Sequence, residues 1–193
     1  EQLETLIALQ PAAASFTFGI LTVGQVARLR AAGIMVVGTA TSLAEGLAWQ
    51  AAGADAVCAQ GEEAGGHRGT FLGEQSDSLT PMLALTRQLA GALEIPVIAA
   101  GGIMDGAGLA AALALGADGV QLGTALLVAE EAGVPAGWRA RMRESRDDES
   151  VITRFDGGRF FIFFLGARHI HVKQVNLVVA PDALALVVVD IFL

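Results

Sequence analysis

The sequence predicts an α/β fold built from successive βα units, and three observations carry that reading. Short β-branched or aromatic runs alternate with Ala/Leu-rich stretches at helical spacing. The helical stretches end in a small residue and glycine, at Ala32-Gly33, Ala52-Gly53-Ala54-Asp55 and Leu115-Gly116-Ala117-Asp118, where glycine suits the left-handed position that closes a helix. Hydrophobic residues make up 53% of the chain and charged residues only 17%, a balance that suits strands buried on both faces.

Taken in order, residues 1–9 alternate charged and apolar types without a basic segment or a long apolar core, so no secretory signal is read there. Strands are predicted at residues 14–18, 34–39, 56–60, 96–100 and 120–122. Helices are predicted between them at residues 23–32, 43–52, 81–93 and 107–115, with Pro81 expected at the first helical position. Strands and helices alternating at this length imply parallel pairing through right-handed crossovers. Such units fit a doubly wound sheet or a closed (βα)8 barrel, and five are three short of closing a barrel.

After Arg154 the chain changes character. Residues 160–165 read FFIFFL and residues 187–189 are a Val triplet, both β-prone and without helical period. Pro181 and charged residues interrupt the tail, and no apolar stretch nears the roughly 18 residues that span a bilayer. The tail reads as extra strands, or as an end created by a frame change. The expected division is a barrel part at residues 1–154 and an atypical tail at 155–193.

The net charge is −8 and no run of Lys or Arg is present, which argues against nucleic acid and anionic membranes as partners. The single cysteine, Cys58, cannot form an internal disulfide and lies in an apolar run, as expected of a buried thiol in a reducing, cytoplasmic setting.

Three Gly-rich segments follow three successive predicted strands, which places them together on the C-terminal rim where such folds bind ligands. They are Gln60-Gly61-Glu62-Glu63-Ala64-Gly65-Gly66-His67-Arg68-Gly69, then Gly101-Gly102-Ile103, then Gln121-Leu122-Gly123-Thr124. Either glycine pair alone is explained by a tight turn. Two such turns on neighbouring strand ends offer a phosphate site, with main-chain N–H groups of Gly102 and Gly123 and the Thr124 hydroxyl as donors.

His67 stands among Gly65, Gly66 and Gly69 in a long loop, where an imidazole can approach a ligand and, with an ordinary pKa of about 6.5, accept a proton at neutral pH. A lone His is as readily a surface residue. Glu62 and Glu63 are adjacent and project differently, so a solvated role competes with an acid/base one. Arg68 is expected either to contact an anion or to face water, and Cys58 lacks a base that would make it a nucleophile. Residues 71–79 read as a mobile lid. His169 and His171 form no metal-ligand spacing, and no metal is predicted.

The run GADAVCAQGEEAGGHRGTF, followed by IPVIAAGGIMDGAGLAAALALGADGVQLGT, resembles the nitronate monooxygenase family, formerly 2-nitropropane dioxygenases, over roughly residues 15–154. The resemblance implies a partial (βα)8 TIM barrel of about five C-terminal βα units, lacking its first part, that binds FMN. It implies Gln60, Gly65 and Gly66 along the flavin, and Gly101, Gly102, Gln121, Leu122, Gly123 and Thr124 around its phosphate. It makes His67 the base, in an oxidation of alkyl nitronates or nitroalkanes by O2 to a carbonyl compound and nitrite. An FMN-dependent enoyl-acyl-carrier-protein reductase using NAD(P)H resembles the EAGGH and AAGGI segments as well. A third alternative is an inactive fragment, whose open barrel edges would admit a second copy as a homo-oligomer.

Overall fold

The computed structural model describes residues 2–74, 76, 78–146 and 149–154 and the strands at 160–164, 175–180 and 183–191, with side chains as far as Glu149. The five predicted strands are all present: β1 (Ala13–Phe16), β2 (Met35–Ala40), β3 (Ala56–Gln60), β5 (Val97–Ala100) and β6 (Gly119–Leu122). They pair in parallel in the order β1-β2-β3-β5-β6, each successive strand beside the one before, as right-handed crossovers lay them down. Two tail strands, β9 (Val175–Ala180) and β10 (Ala183–Ile191), form an antiparallel pair that joins β6 to β1 and closes the barrel. The tail thus supplies the wall that five βα units leave open. The doubly wound alternative is excluded, because its sheet would end in two free edges.

The helices fall where the periodicity predicts them. They are α2 (Val23–Ala31), α3 (Leu43–Ala52), α4 (Met82–Ala92) and α5 (Gly106–Ala114). Pro81 corrects one expectation: with φ −56° and ψ 145° it is the extended residue before α4, not its first helical one. An unpredicted helix, α1 (Gln2–Leu9), precedes β1, and its Leu3, Leu6 and Ile7 pack on the core. Past β6 come the single turn α6 (Thr124–Leu127), helix α7 (Ala136–Glu144) and strand β7 (Ser150–Arg154). Strands β4 (Gly66–His67), β8 (Phe160–Phe164) and β7 make a second, antiparallel sheet. His169 and His171 lie outside the described residues. No helix among the described residues is long and apolar enough to cross a membrane.

Strand alternation divides the barrel into two environments. Phe16, Val36, Val57, Ala59 and Val97 face the helices and pack with Leu29, Trp49, Leu85 and Leu89. Val37, Ala56, Cys58, Ile98 and Ala100 face the interior. Gly38 has to be glycine because the Trp49 ring fills its side-chain space: a Cβ there would lie 2.0 Å from Cδ2 of the indole. That indole is fixed in turn by its Nε1, which donates to the Thr39 carbonyl at 3.0 Å.

The repeated Gly-Ala-Asp has a physical reason. Asp55 N–H donates to the Val36 carbonyl at 2.8 Å, while its carboxylate accepts from Val36 N–H at 2.8 Å. Asp118 does the same to Val97, at 2.8 and 2.9 Å. Each Asp therefore pins the start of its own strand to the start of the preceding one, and Gly53 and Gly116, at φ +92° and +100°, turn the chain into place for it.

Candidate active site

The three Gly-rich segments meet at the C-terminal ends of β3, β5 and β6. A Cβ added to Gly65 would lie 2.8 Å from Thr124 Oγ1, so the segment after β3 touches the segment after β6. A Cβ on Gly101 would lie 2.9 Å from Ala64 N, and one on Gly102 would lie 3.3 Å from Glu63 Cβ, so it touches the segment after β5 as well. Gly101 and Gly102 sit at φ +118° and +66°, which L side chains resist, and Gly66 at +85°. The surface they form is mainly backbone, joined by the Thr124 hydroxyl, with no Lys or Arg among these residues.

Such a donor set fits a phosphomonoester. Main-chain N–H groups and one hydroxyl can surround an anion at short range only where side chains are missing, as they are at residues 65, 101 and 102. Helix α6 is one turn long, so it contributes individual N–H groups and no appreciable dipole. The remaining predicted contacts are distributed differently. Gln121 turns its Oε1 inward to accept from Cys58 Sγ at 3.3 Å, and Leu122 packs against the apolar cluster around Ile103 and Val120. Cys58 is accordingly an interior thiol.

His67 is half-buried on β4, and its imidazole meets the Phe18 ring edge-on, with centroids 5.0 Å apart and planes at 75°. Phe18 was not among the predicted site residues. It belongs to the turn after β1 and meets the loop after β3, a contact that no local signal in the letters reveals. The Gln60 side chain, also predicted to lie along a cofactor, is tied to the loop itself: Nε2 donates to the His67 carbonyl and Oε1 accepts from Gly69 N–H, both at 2.8 Å.

Arg68 corrects the sequence reading in one respect, since it does not face water. It is 1% exposed and donates to main-chain carbonyls: Nη1 to Gln60 at 3.3 Å and to Gly61 at 2.5 Å, Nη2 to Ser78 at 2.6 Å. Burial pushes its pKa down from the ordinary arginine value, opposed by the nearby charges of Glu45, Glu62 and Glu63. Arginine is not deprotonated in proteins, so the guanidinium carries its charge. Glu63 is not idle in solvent either: its Oε2 accepts from Met82 N–H at 2.8 Å, capping α4 where Pro81 offers no side-chain cap.

The segment 71–79 is anchored at both ends, which does not suit a lid free over its whole length. Glu45, fully buried on α3, accepts through Oε1 from Phe71 N–H at 2.6 Å and Leu72 N–H at 2.9 Å. Its Oε2 accepts from Thr41 N–H at 2.7 Å and Thr41 Oγ1 at 2.8 Å. At the far end Ser78 is buried, with Thr70 Oγ1 donating to its Oγ at 2.7 Å. Glu45 was not singled out in the sequence, where Ser42 and Glu45 have only the spacing of a helix cap. Ser42 does accept from Glu45 N–H at 3.3 Å, but the carboxylate bonds elsewhere.

Comparison with known proteins places this arrangement among relatives. The profile of the family described as nitronate monooxygenase matches residues 1–162. The Probable nitronate monooxygenase of Staphylococcus aureus (strain Newman) is 42% identical over 158 residues, which cover 81% of this chain and 44% of that protein. Among solved structures, nitroalkane oxidase from Streptomyces ansochromogenes superposes with a TM-score of 0.79 at 41% identity, covering 85% of this chain and 48% of the other. FabK from Thermotoga maritima superposes with a TM-score of 0.72 at 31% identity, covering 84% and 49%. The chain thus spans less than half the length of the relatives it matches.

Proposed function

Because this chain belongs to the nitronate monooxygenase family, we propose that it carries the FMN-binding rim and the proton-accepting histidine of an oxidoreductase that converts alkyl nitronates, with O2, to carbonyl compounds and nitrite. The observation that carries the reading is the convergence of the three Gly-rich strand ends beside His67. In this reading Gly101, Gly102, Gly123 and Thr124 hold the phosphate through main-chain N–H groups and the Thr124 hydroxyl, while Gly65 and Gly66 run along the ring system. When bound, FMN supplies the electron-accepting, oxygen-reactive chemistry that side chains lack.

The chain's own residues supply the proton chemistry. A neutral nitroalkane must lose the hydrogen next to the nitro group before it can be oxidised. An imidazole nitrogen of His67 takes that proton, and the C–H electron pair becomes the C=N bond of the nitronate. Phe18, edge-on to the imidazole, shields one side of the base from water. The match to nitroalkane oxidase at 41% identity, against 31% for FabK, favours this chemistry over the NAD(P)H-dependent reductase alternative. The buried lone thiol supports a cytoplasmic setting.

Flavin titration of the purified chain, followed by oxygen uptake and nitrite release with a preformed nitronate, tests the reading directly. NAD(P)H oxidation with an enoyl thioester in place of nitrite release would move the protein to the reductase class. His67→Ala is expected to slow turnover of a neutral nitroalkane by about 10²-fold or more, the usual contribution of a positioned base. Preformed nitronate should be nearly unaffected, and equal losses on both substrates would refute the role given to His67.

A further inference from the structure

We propose that Arg68 and Gln60 are positioning residues that aim His67 into the mouth of the barrel. The inference rests on the reading of His67 as the base, but its geometry stands independently. Arg68 directly follows β4, and the two neighbours sit in different environments: Arg68 is 1% exposed, His67 half-buried. Arg68 runs into the protein, where its guanidinium ties the carbonyls of Gln60 and Gly61 to that of Ser78. With Arg68 fixed inward, the preceding His67 is left to meet Phe18 with its ring.

The Gln60 carboxamide closes the arrangement from below. Its two ends bond the His67 carbonyl and the Gly69 N–H, on either side of Arg68, and the residue is only 7% exposed. The carbonyl of His67 and the N–H of Gly69 are therefore held by one planar group projecting from the last residue of β3. A one-residue slip of the segment would break these bonds and exchange the faces of His67 and Arg68 together.

The cost of this design argues that it is there for position. Burying a guanidinium is expensive, and an apolar side chain would fill the volume more cheaply. Neither lysine nor methionine reproduces the fork, since lysine has one donor centre and methionine none. The carbonyls that Arg68 gathers come from two separated stretches, residues 60–61 and residue 78. Arg68 thus fixes both ends of the long loop while its neighbour points out of it.

The test is amide hydrogen exchange and His ring NMR on the full chain, for the native protein, Gln60→Met, Arg68→Met and Arg68→Lys. In Gln60→Met the Gly69 amide should exchange at least about tenfold faster, and the His67 ring resonances should shift as the ring leaves Phe18. Strand amides at Val57 and Val97 should stay protected, showing that the change is local. Arg68→Met should move the same His67 resonances, and Arg68→Lys should restore them only in part. If Arg68→Met does not fold, Gln60→Met decides alone.

Once loaded with FMN, Gln60→Met should lower the ratio of kcat/KM for a neutral nitroalkane to that for preformed nitronate by at least about tenfold. Gly69 exchange within twofold of native, or unmoved His67 resonances, in Gln60→Met would overturn the inference. Failure of the base reading looks different: His67→Ala would then retain nitroalkane turnover while the exchange result stood.

Discussion

Replacing Glu45 with glutamine changes one atom type at the most heavily bonded buried side chain near the site. The carboxylate accepts four hydrogen bonds of 2.6–2.9 Å, two from Thr41 and two from the main chain of Phe71 and Leu72. A carboxamide offers one oxygen, which can keep only one of these pairs. If it keeps Phe71 and Leu72, its NH2 confronts Thr41, whose hydroxyl can rotate to accept but whose N–H is left unpaired in the core. One buried unsatisfied N–H costs about 1–3 kcal/mol, and two charge-assisted bonds weakened to neutral ones lose about 0.5–1.5 kcal/mol each. The sum is about 4 kcal/mol, within a range of about 2–6. With a urea dependence of about 2 kcal/mol per molar, the midpoint should fall by about 2 M. Urea titration followed by circular dichroism measures the whole fold, and Trp49 fluorescence reports locally, because that ring packs edge-on against Phe71 with centroids 6.2 Å apart. A loss under about 1 kcal/mol would refute the claim that all four donors depend on a charged acceptor.

Two further changes test the scaffold. Gly38→Ala sets a methyl into the Trp49 indole and should destabilise by about 1–3 kcal/mol. Much of that loss should return in the Gly38→Ala, Trp49→Leu double variant relative to Trp49→Leu alone, and thermal melts of the four proteins would show whether the two residues are coupled as the contact requires. Asp118→Ala and Asp55→Ala each remove one carboxylate bond to the start of the neighbouring strand, and denaturant titration should find each about 1 kcal/mol less stable. The two losses should agree within about 0.5 kcal/mol. Asp55 additionally pairs with Arg30 at 3.1 Å, but that pair is largely exposed and contributes little.

The strands were legible because each is a short β-branched or small-residue run, three of them closed directly by glycine, and all five lie within a residue or two of their predicted bounds. Helix α1 was not read, although Leu3, Leu6 and Ile7 repeat at i, i+3 and i+4. The charged residues between them looked like plain alternation, and eight residues show little more than two turns of period. The Gly-Ala-Asp repeat was visible as a pattern, but its cause was not, since the partner of each Asp is a backbone N–H on another strand. The same limit applies at the site. His67 and the glycines stand in one motif, whereas Phe18 and Glu45 arrive from β1 and α3 and meet the loop only after the barrel has curved.

Arg68, Gln60 and Glu45 share a feature that explains why the contacts they make were not legible in the sequence. Their bonding partners in and around the loop are largely main-chain groups: three carbonyls for Arg68, a carbonyl and an N–H for Gln60, and three N–H groups besides the Thr41 hydroxyl for Glu45. Main-chain partners exist at every position, so no second residue type is required and no pair of letters marks the contact. The long loop could not satisfy its own backbone by secondary structure and still hold an imidazole at the mouth, because β4 is only two residues long. Three buried polar side chains meet that backbone demand instead. The rim can therefore stay rich in glycine, open to a ligand, without the flexibility that so much glycine would otherwise bring.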